Sequence, residues 1–511
     1  MNANLYALIQ SRFSGNRPQT ALETASGITY SYAMLEEMTA RYASFIHALG
    51  VVPGDRIAVQ VEKSPEALFL YLACLQSGAV FLPLNSAYQE GEVDYFLGDA
   101  TPKIVVHQPK SEAWISTLCN RHRIAHRFTL TEDNGAKIQQ GRHCWHENAS
   151  KAAPMLDVVH RVEDDLAAIL YTSGTTGRSK GAMITHKNLS SNAITLHAYW
   201  GFKPGDILLH TLPIFHVHGL FVACHTALLN GSKMIFHAKF DAKAAIAALP
   251  RATVFMGVPT MYVRLLADAS FSRQTCANIR LFVSGSAPLL AETFHEFLER
   301  TGHVILERYG MTETGMITSN PLDAERRGGT VGLPLPGVAL RVVDETGRAC
   351  VAGDIGGLQV KGDNVLPGYW QMPDKDKEEF TADGYFKTGD MGKIDTDGYV
   401  TIVGRSKDLV ISGGYNVYPK EIEMLLDEIA GVAESAVIGL PHPDFGEAVA
   451  AVIVKKPAAT LVEADIVAAI KGKLAAFKLP KRIFLVEDLP RNAMGKVQKN
   501  ELRKRYADTF K

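Results

Sequence analysis

Five short stretches of this chain gather the residue types that handle a nucleotide. YTSGTTGRSKG (171–181) holds three glycines, six hydroxyl side chains, Arg178 and Lys180. Glycines let backbone N–H groups approach an anion, and hydroxyls donate further hydrogen bonds to it. No Gly-Lys-Ser/Thr closes the stretch, so it is not the common P-loop. ERYGMTET (307–314) sets Thr312 beside Glu313, a hydroxyl and a carboxylate of the kind that phosphates and magnesium need. YFKTGD (385–390) ends on Asp390, an acid suited to paired ribose hydroxyls, and GRSKD (404–408) supplies Arg405. PRNAMGKVQK (490–499) presents Lys496 on a Gly-Lys turn. Taken singly, each has a plainer reading: a surface loop, a solvated glutamate, a surface lysine.

The surrounding elements must hold these stretches together. Up to residue 404 apolar strand-like runs alternate with helical patterns, which predicts α/β architecture. The runs are RIAVQV (56–61), KIVVH (103–107), LAAIL (166–170), DILLHTLP (206–213), SKMIFH (232–237) and RLFVSG (280–285). SPEALFLYLACLQSG (64–78) and LLAETFHEFLERTG (289–302) carry helical spacing between them. From about residue 331, D-G and T-G turns between short strands predict antiparallel hairpins. A smaller α+β unit then begins near 404–408, which divides the chain into 1–404 and 405–511. The Pro419 helix start and the acids Glu421 and Glu423 belong to this second unit.

Composition excludes several classes. With 53 Lys plus Arg against 54 Asp plus Glu, the net charge of −1 points to no nucleic-acid or membrane partner. Six scattered cysteines without a C-x-x-C pair predict free thiols and a reducing, cytoplasmic setting. The stretch 207–232 has no Asp, Glu, Lys or Arg, but Pro213 and four histidines argue for buried, partly site-lining chain rather than a membrane span. Small-molecule substrates are the expected partners, and self-association into a homo-oligomer stays open.

In this order and spacing, the five motifs resemble the adenylate-forming superfamily, which includes acyl-CoA and aryl-CoA ligases and adenylation domains. The resemblance runs through nearly the whole chain. It implies a large multi-subdomain N-terminal region joined by a hinge to a small mobile domain. It also implies two half-reactions: a carboxylate attacks the α-phosphorus of ATP, and the thiol of coenzyme A then displaces AMP. Thr172, Ser173, Gly174, Thr175, Thr176, Gly177 and Lys180 are expected to cradle the β- and γ-phosphates, with Thr176 counted as catalytic. Tyr309, Gly310, Met311 and Thr312 border the adenylate, Glu313 holds Mg²⁺, and Asp390 and Arg405 take the ribose. Lys496 serves the α-phosphate as the main catalytic residue. Lys407 is the pivot, and Gly413 and Gly414 lie along the pantetheine arm.

Further runs, among them FHVHGLF, RLFVSGSAPLLAET and TGHVILERYGMTET, look very like malonyl-CoA synthetases. That resemblance implies malonate, and also methylmalonate, as substrate. Arg264 is then the anchor of the distal carboxylate, with Arg280 as second candidate and Ser286 assisting. His216, Val217 and Met316 shape the pocket, and His216 is counted among the catalytic residues. Val217 stands where relatives often carry threonine, which leaves the handling of C2-substituted acids open. The alternatives are a ligase for another acyl or aryl acid, an adenylation enzyme loading a carrier protein, or a non-catalytic relative.

Overall fold

The computed structural model describes residues 2–13, 15–130, 144–172, 179–412, 415–471, 473–492 and 495–510. Each strand-like run named above forms a strand, from Arg56–Gln60 to Leu281–Ser284. The helical pattern of 64–78 forms the helix Pro65–Ser77. Ser64 caps it by accepting the Ala67 N–H, and Gly78 closes it at φ +74°. A left-handed closing residue without Cβ pays no steric penalty there. Every residue of this helix is buried, so its periodicity marks a core element rather than a surface one.

Two large sheets share the main core. The six-stranded sheet is parallel until its edge, where Leu166–Thr172 pairs antiparallel with Lys180–Thr185. Thr172 and Lys180 face each other across that pair, so the phosphate-loop motif joins two antiparallel strands. A P-loop instead runs from strand into helix. In the nine-stranded sheet Leu306–Met311 lies parallel to Leu281–Ser284 and turns back on Gly315–Ser319. Thr312, Glu313 and Thr314 form the turn between the last two. A Cβ on Gly310 would come within 2.2 Å of the Gly315 carbonyl oxygen, so the turn requires glycine at 310.

The hairpins predicted after residue 331 build a four-stranded antiparallel sheet, Ala339–Val343, Gly356–Lys361, Phe386–Ile394 and Val400–Arg405. Its last pair sets Asp390 opposite Arg405. A 3-10 turn, Ser406–Asp408, leads to a separate five-stranded sheet that begins at Val410–Ser412. This sheet has an apolar core on each face. One includes Ile422 and Leu426 of the helix Pro419–Asp427, the other Leu502 of the helix Lys499–Arg505.

The stretch 207–232 is indeed buried. It runs as the strand Ile207–His210, a π-helical turn His218–Cys224 and the helix His225–Asn230. Single π turns recur at functional sites. Among the described residues no helix is long and apolar enough to cross a membrane. All six cysteines are free.

Candidate functional site

The strand Leu306–Met311 divides the site, because successive side chains on a strand point to opposite faces. Tyr309 faces the four-stranded sheet. Its hydroxyl donates to Asp390 Oδ2 at 2.5 Å, while Arg405 Nε holds Asp390 Oδ1 at 2.7 Å. Asp390 is buried, and its backbone N–H donates to Thr388 Oγ1 at 3.0 Å. Each carboxylate oxygen thus has one partner and keeps room to accept another hydrogen bond.

Glu313, buried in the turn that follows, accepts from Thr172 Oγ1 at 3.2 Å and from the Tyr369 hydroxyl at 3.1 Å. Burial, then the Glu313 carboxylate, hold the Tyr369 phenol far above its ordinary pKa, so it stays a donor. Both donors meet Oε1, and among the described residues Oε2 accepts no hydrogen bond. No cluster of three metal-ligating side chains exists among the described residues. Magnesium does not need one, since it is usually held by one or two carboxylates plus substrate phosphates. Glu313, with one oxygen that accepts no hydrogen bond among the described residues, fits that role.

Lys180 is buried, pairs with Glu379 Oε1 at 3.1 Å and lies 4.1 Å from the centre of the Tyr369 ring. Lys496 is exposed on the surface, yet the protein packed around it removes part of its solvation. That loss, then the cation of Arg405, lower its pKa, and Asp390 opposes them. The neighbouring Gly495 packs against Thr260 of the helix Pro259–Leu266, so the tip of the C-terminal unit touches the N-terminal region here. Lys407 sits exposed in the 3-10 turn that joins the two. The expected contacts of Ser173, Gly174, Thr175, Thr176, Gly177, Gly413 and Gly414 lie outside the described residues.

The opposite face of the same strand carries Arg308, which the motif reading passed over. It is buried against Gly285, where a Cβ would come within 2.4 Å of the guanidinium carbon. Its Nε and Nη2 have no hydrogen-bond partner, and no carboxylate among the described residues pairs with it. Burial lowers its pKa to about 9. A buried, uncompensated guanidinium costs several kcal/mol, roughly, unless an anion arrives.

Its neighbours are polar and equally underused. His218 is buried, with Nδ1 3.2 Å from Ser286 Oγ and Nε2 unpartnered, and Ser284 Oγ is unpartnered as well. Ser286 adopts φ +72°, the left-handed region, which carries a strain cost for a non-glycine residue. His216 Nδ1 accepts the His218 N–H at 3.3 Å. Burial, then the Arg308 cation, push His216 down to about 4, so it is neutral at physiological pH. Val217 lines a small cavity with Phe221, Asn192, Thr312 and Gly315, and the Met316 methyl packs beside Gly310.

Two expectations need correction. Arg264 is exposed on the helix Pro259–Leu266, whose buried face is Tyr262, Leu265 and Leu266. Among the described residues no hydrogen bond or ion pair holds it inward. Arg280 is already committed: its Nε and Nη2 grip both oxygens of buried Asp206, at 2.8 and 2.5 Å. A fork closed on a carboxylate is not free for another. The signal that could have revealed Arg308 was a charged pair, Glu307–Arg308, inside an otherwise buried strand.

Comparison with known proteins agrees with this layout. Residues 10–370 match the model of the AMP-binding enzyme family, and residues 421–496 match the AMP-binding enzyme C-terminal domain. The ATP-bound crystal structure of MatB from Rhodopseudomonas palustris is 53% identical, covers 100% of both chains and superposes with a TM-score of 0.96. The apo form of that protein superposes at 0.85, so the arrangement here is nearer the ATP-bound one. A malonate–CoA ligase of Arabidopsis thaliana is 35% identical over 94% of this chain and 85% of its own length. A feruloyl-CoA synthase from an Amycolatopsis species is 33% identical over 96% of both. With family models matched over residues 10–370 and 421–496, this chain belongs to the AMP-binding enzyme family.

Proposed function

We propose that this protein is a malonate–CoA ligase, joining malonate to coenzyme A at the expense of ATP. The observation that carries this reading is Arg308, a buried cation without an anion, set on the strand that leads into Thr312 and Glu313. A second carboxylate on the substrate supplies the missing partner in bidentate geometry. Relatives named for malonate among the curated proteins support the same choice.

In this reading Arg308 binds the distal carboxylate, and Ser286 and His218 add hydrogen bonds. Neutral His216 orients the reacting carboxylate without competing for its charge. An oxygen of that carboxylate attacks the α-phosphorus, and pyrophosphate leaves. Charge builds on the phosphoryl oxygens, where Lys496 and Thr312 stabilise it. The loop 173–177 and Lys180 hold the departing phosphates. Glu313 would hold Mg²⁺, which would supply charge neutralisation at the phosphates. Asp390 and Arg405 fix the ribose. The C-terminal unit then turns about Lys407, withdrawing Lys496 and bringing Gly413 and Gly414 to the pantetheine arm. The thiol sulfur of coenzyme A, losing its proton, attacks the acyl carbon, and AMP leaves. Val217 and Met316 limit the substituent at C2, so methylmalonate is the largest acid we expect to react well. Free thiols throughout fit a cytoplasmic setting.

The test is pyrophosphate release over malonate, methylmalonate, succinate, acetate, octanoate and benzoate. Malonate should lead. A monocarboxylate in first place would overturn the assignment.

A further inference from the structure

The segment after the four-stranded sheet's second strand reaches back to the metal-binding turn, and its reach is specific. Leu366 N–H donates to the Glu313 carbonyl at 2.8 Å, and Trp370 N–H donates to the Gly181 carbonyl at 2.7 Å. Tyr369, between them, bridges to Ala182 on the strand Lys180–Thr185. One buried residue therefore touches both halves of the phosphate site: its hydroxyl is on Glu313 Oε1, and its ring lies under Lys180. Its own backbone is fixed by Asp376, whose Oδ1 accepts the Tyr369 N–H at 2.8 Å. Glu379, on the same helix as Asp376, takes the Lys180 ammonium and also meets Lys375 at 3.3 Å.

From this geometry we infer that Tyr369 is a positioning residue that decides which oxygen of Glu313 meets the metal. The inference rests on the reading of Glu313 as the Mg²⁺ ligand. A carboxylate is free to rotate and can present either oxygen. With Tyr369 and Thr172 both donating to Oε1, Oε2 is the oxygen left for the cation. The lone pairs of Oε1 are then drawn toward protein, which holds the carboxylate plane fixed before nucleotide arrives. Residues that orient a metal ligand in this way typically contribute about 10- to 100-fold to metal affinity. The aromatic ring adds a second effect. It lies 4.1 Å from the Lys180 ammonium and so helps to hold that cation beside Glu379.

The substitution Tyr369→Phe separates these effects, because it removes the hydroxyl and keeps the ring under Lys180. The measurement is calorimetric binding of ATP to the full chain without any acid substrate, once with Mg²⁺ and once with Mg²⁺ removed by chelation. The wild type gains affinity from Mg²⁺. In Tyr369→Phe that gain should shrink ~10-fold, while metal-free ATP binds within ~2-fold of wild type. Equal weakening with and without Mg²⁺ would mean that Tyr369 only holds the fold together, and an unchanged gain would mean that it does not orient Glu313; either result overturns the inference. Glu313→Gln is the control on the underlying reading. If it keeps the full Mg²⁺ gain, the assignment of Glu313 itself fails. If it loses the gain and Tyr369→Phe does not, only the role of Tyr369 fails.

Discussion

The two faces of one strand differ in how their polar groups are used. On the Tyr309 side the acids are already engaged: Asp390 with Tyr309 and Arg405, Glu313 with Thr172 and Tyr369. On the Arg308 side the buried groups wait: two guanidinium nitrogens, the His218 Nε2 and the Ser284 hydroxyl have no partner. Buried polar groups in folded proteins are overwhelmingly hydrogen-bonded, so a cluster of exceptions marks a place where something else completes the set. The nucleotide side is pre-ordered by its own side chains. On the proposed reading the acid side is completed by its substrate, and selectivity for a dicarboxylate originates in that difference.

The largest effect expected from testing this contrast comes from the cation of the C-terminal unit, which feels the charges of Arg405 and Asp390 on the nucleotide side. Lys496→Ala should slow adenylation by ~10³-fold, measured by malonate-dependent pyrophosphate exchange. Thiolysis of ready-made malonyl-adenylate should stay within a few-fold. Equal loss in both half-reactions would break the picture of a lysine that serves one step and withdraws.

Next in size is the contrast between a spent arginine and a waiting one. Arg280→Ala strands the buried carboxylate of Asp206 and should lower unfolding free energy by ~3 kcal/mol, read by denaturant titration. The KM for malonate should not move. A raised KM at unchanged stability would restore Arg280 to the acid pocket.

The last effect is a slope rather than a step, and it concerns Glu307, which precedes Arg308 on the same strand. Burial raises its carboxyl from 4.5 to about 8, against the pull of the Gly329 N–H. Between those values the folded protein keeps a proton that the unfolded chain has lost. Stability therefore falls as pH rises through that window, by up to about 1.4 kcal/mol per pH unit from this one group. Glu307→Gln keeps an acceptor for Gly329 and removes the titration, so the slope of stability against pH should flatten between pH 5 and 8 by about that amount. An unchanged slope would mean that Glu307 is ionised in the folded protein.

Much of this was legible in the sequence, and the rest was hidden for definite reasons. The strands and helices followed from periodicity, because core-facing residues must recur at the spacing of their element. Asp390 and Arg405, only fifteen residues apart, could be guessed as neighbours because D-G turns imply a hairpin between them. Arg280 could not be read correctly, since its partner Asp206 lies 74 residues away across a parallel sheet. Arg264 lies directly after a motif, but that proximity does not fix which way its side chain faces. The apolar positions Tyr262, Leu265 and Leu266 already defined the inner face of its helix, and Arg264 lies off it. Arg308 was overlooked because the adjoining Thr312 and Glu313 drew the chemical reading, while only the pleat of the strand shows that Arg308 faces the other way.

The most direct measurement compares malonate with propionate, which replaces the distal carboxylate by a methyl group, in the wild type and in Arg308→Gln. The wild type should favour malonate strongly in kcat/KM. In Arg308→Gln the malonate-to-propionate ratio should collapse by ~10²- to 10³-fold, with the KM for ATP unchanged, whereas Arg264→Ala should leave the ratio within ~2-fold. A ratio that survives the loss of Arg308 would show that the distal carboxylate is held elsewhere and would contradict the account.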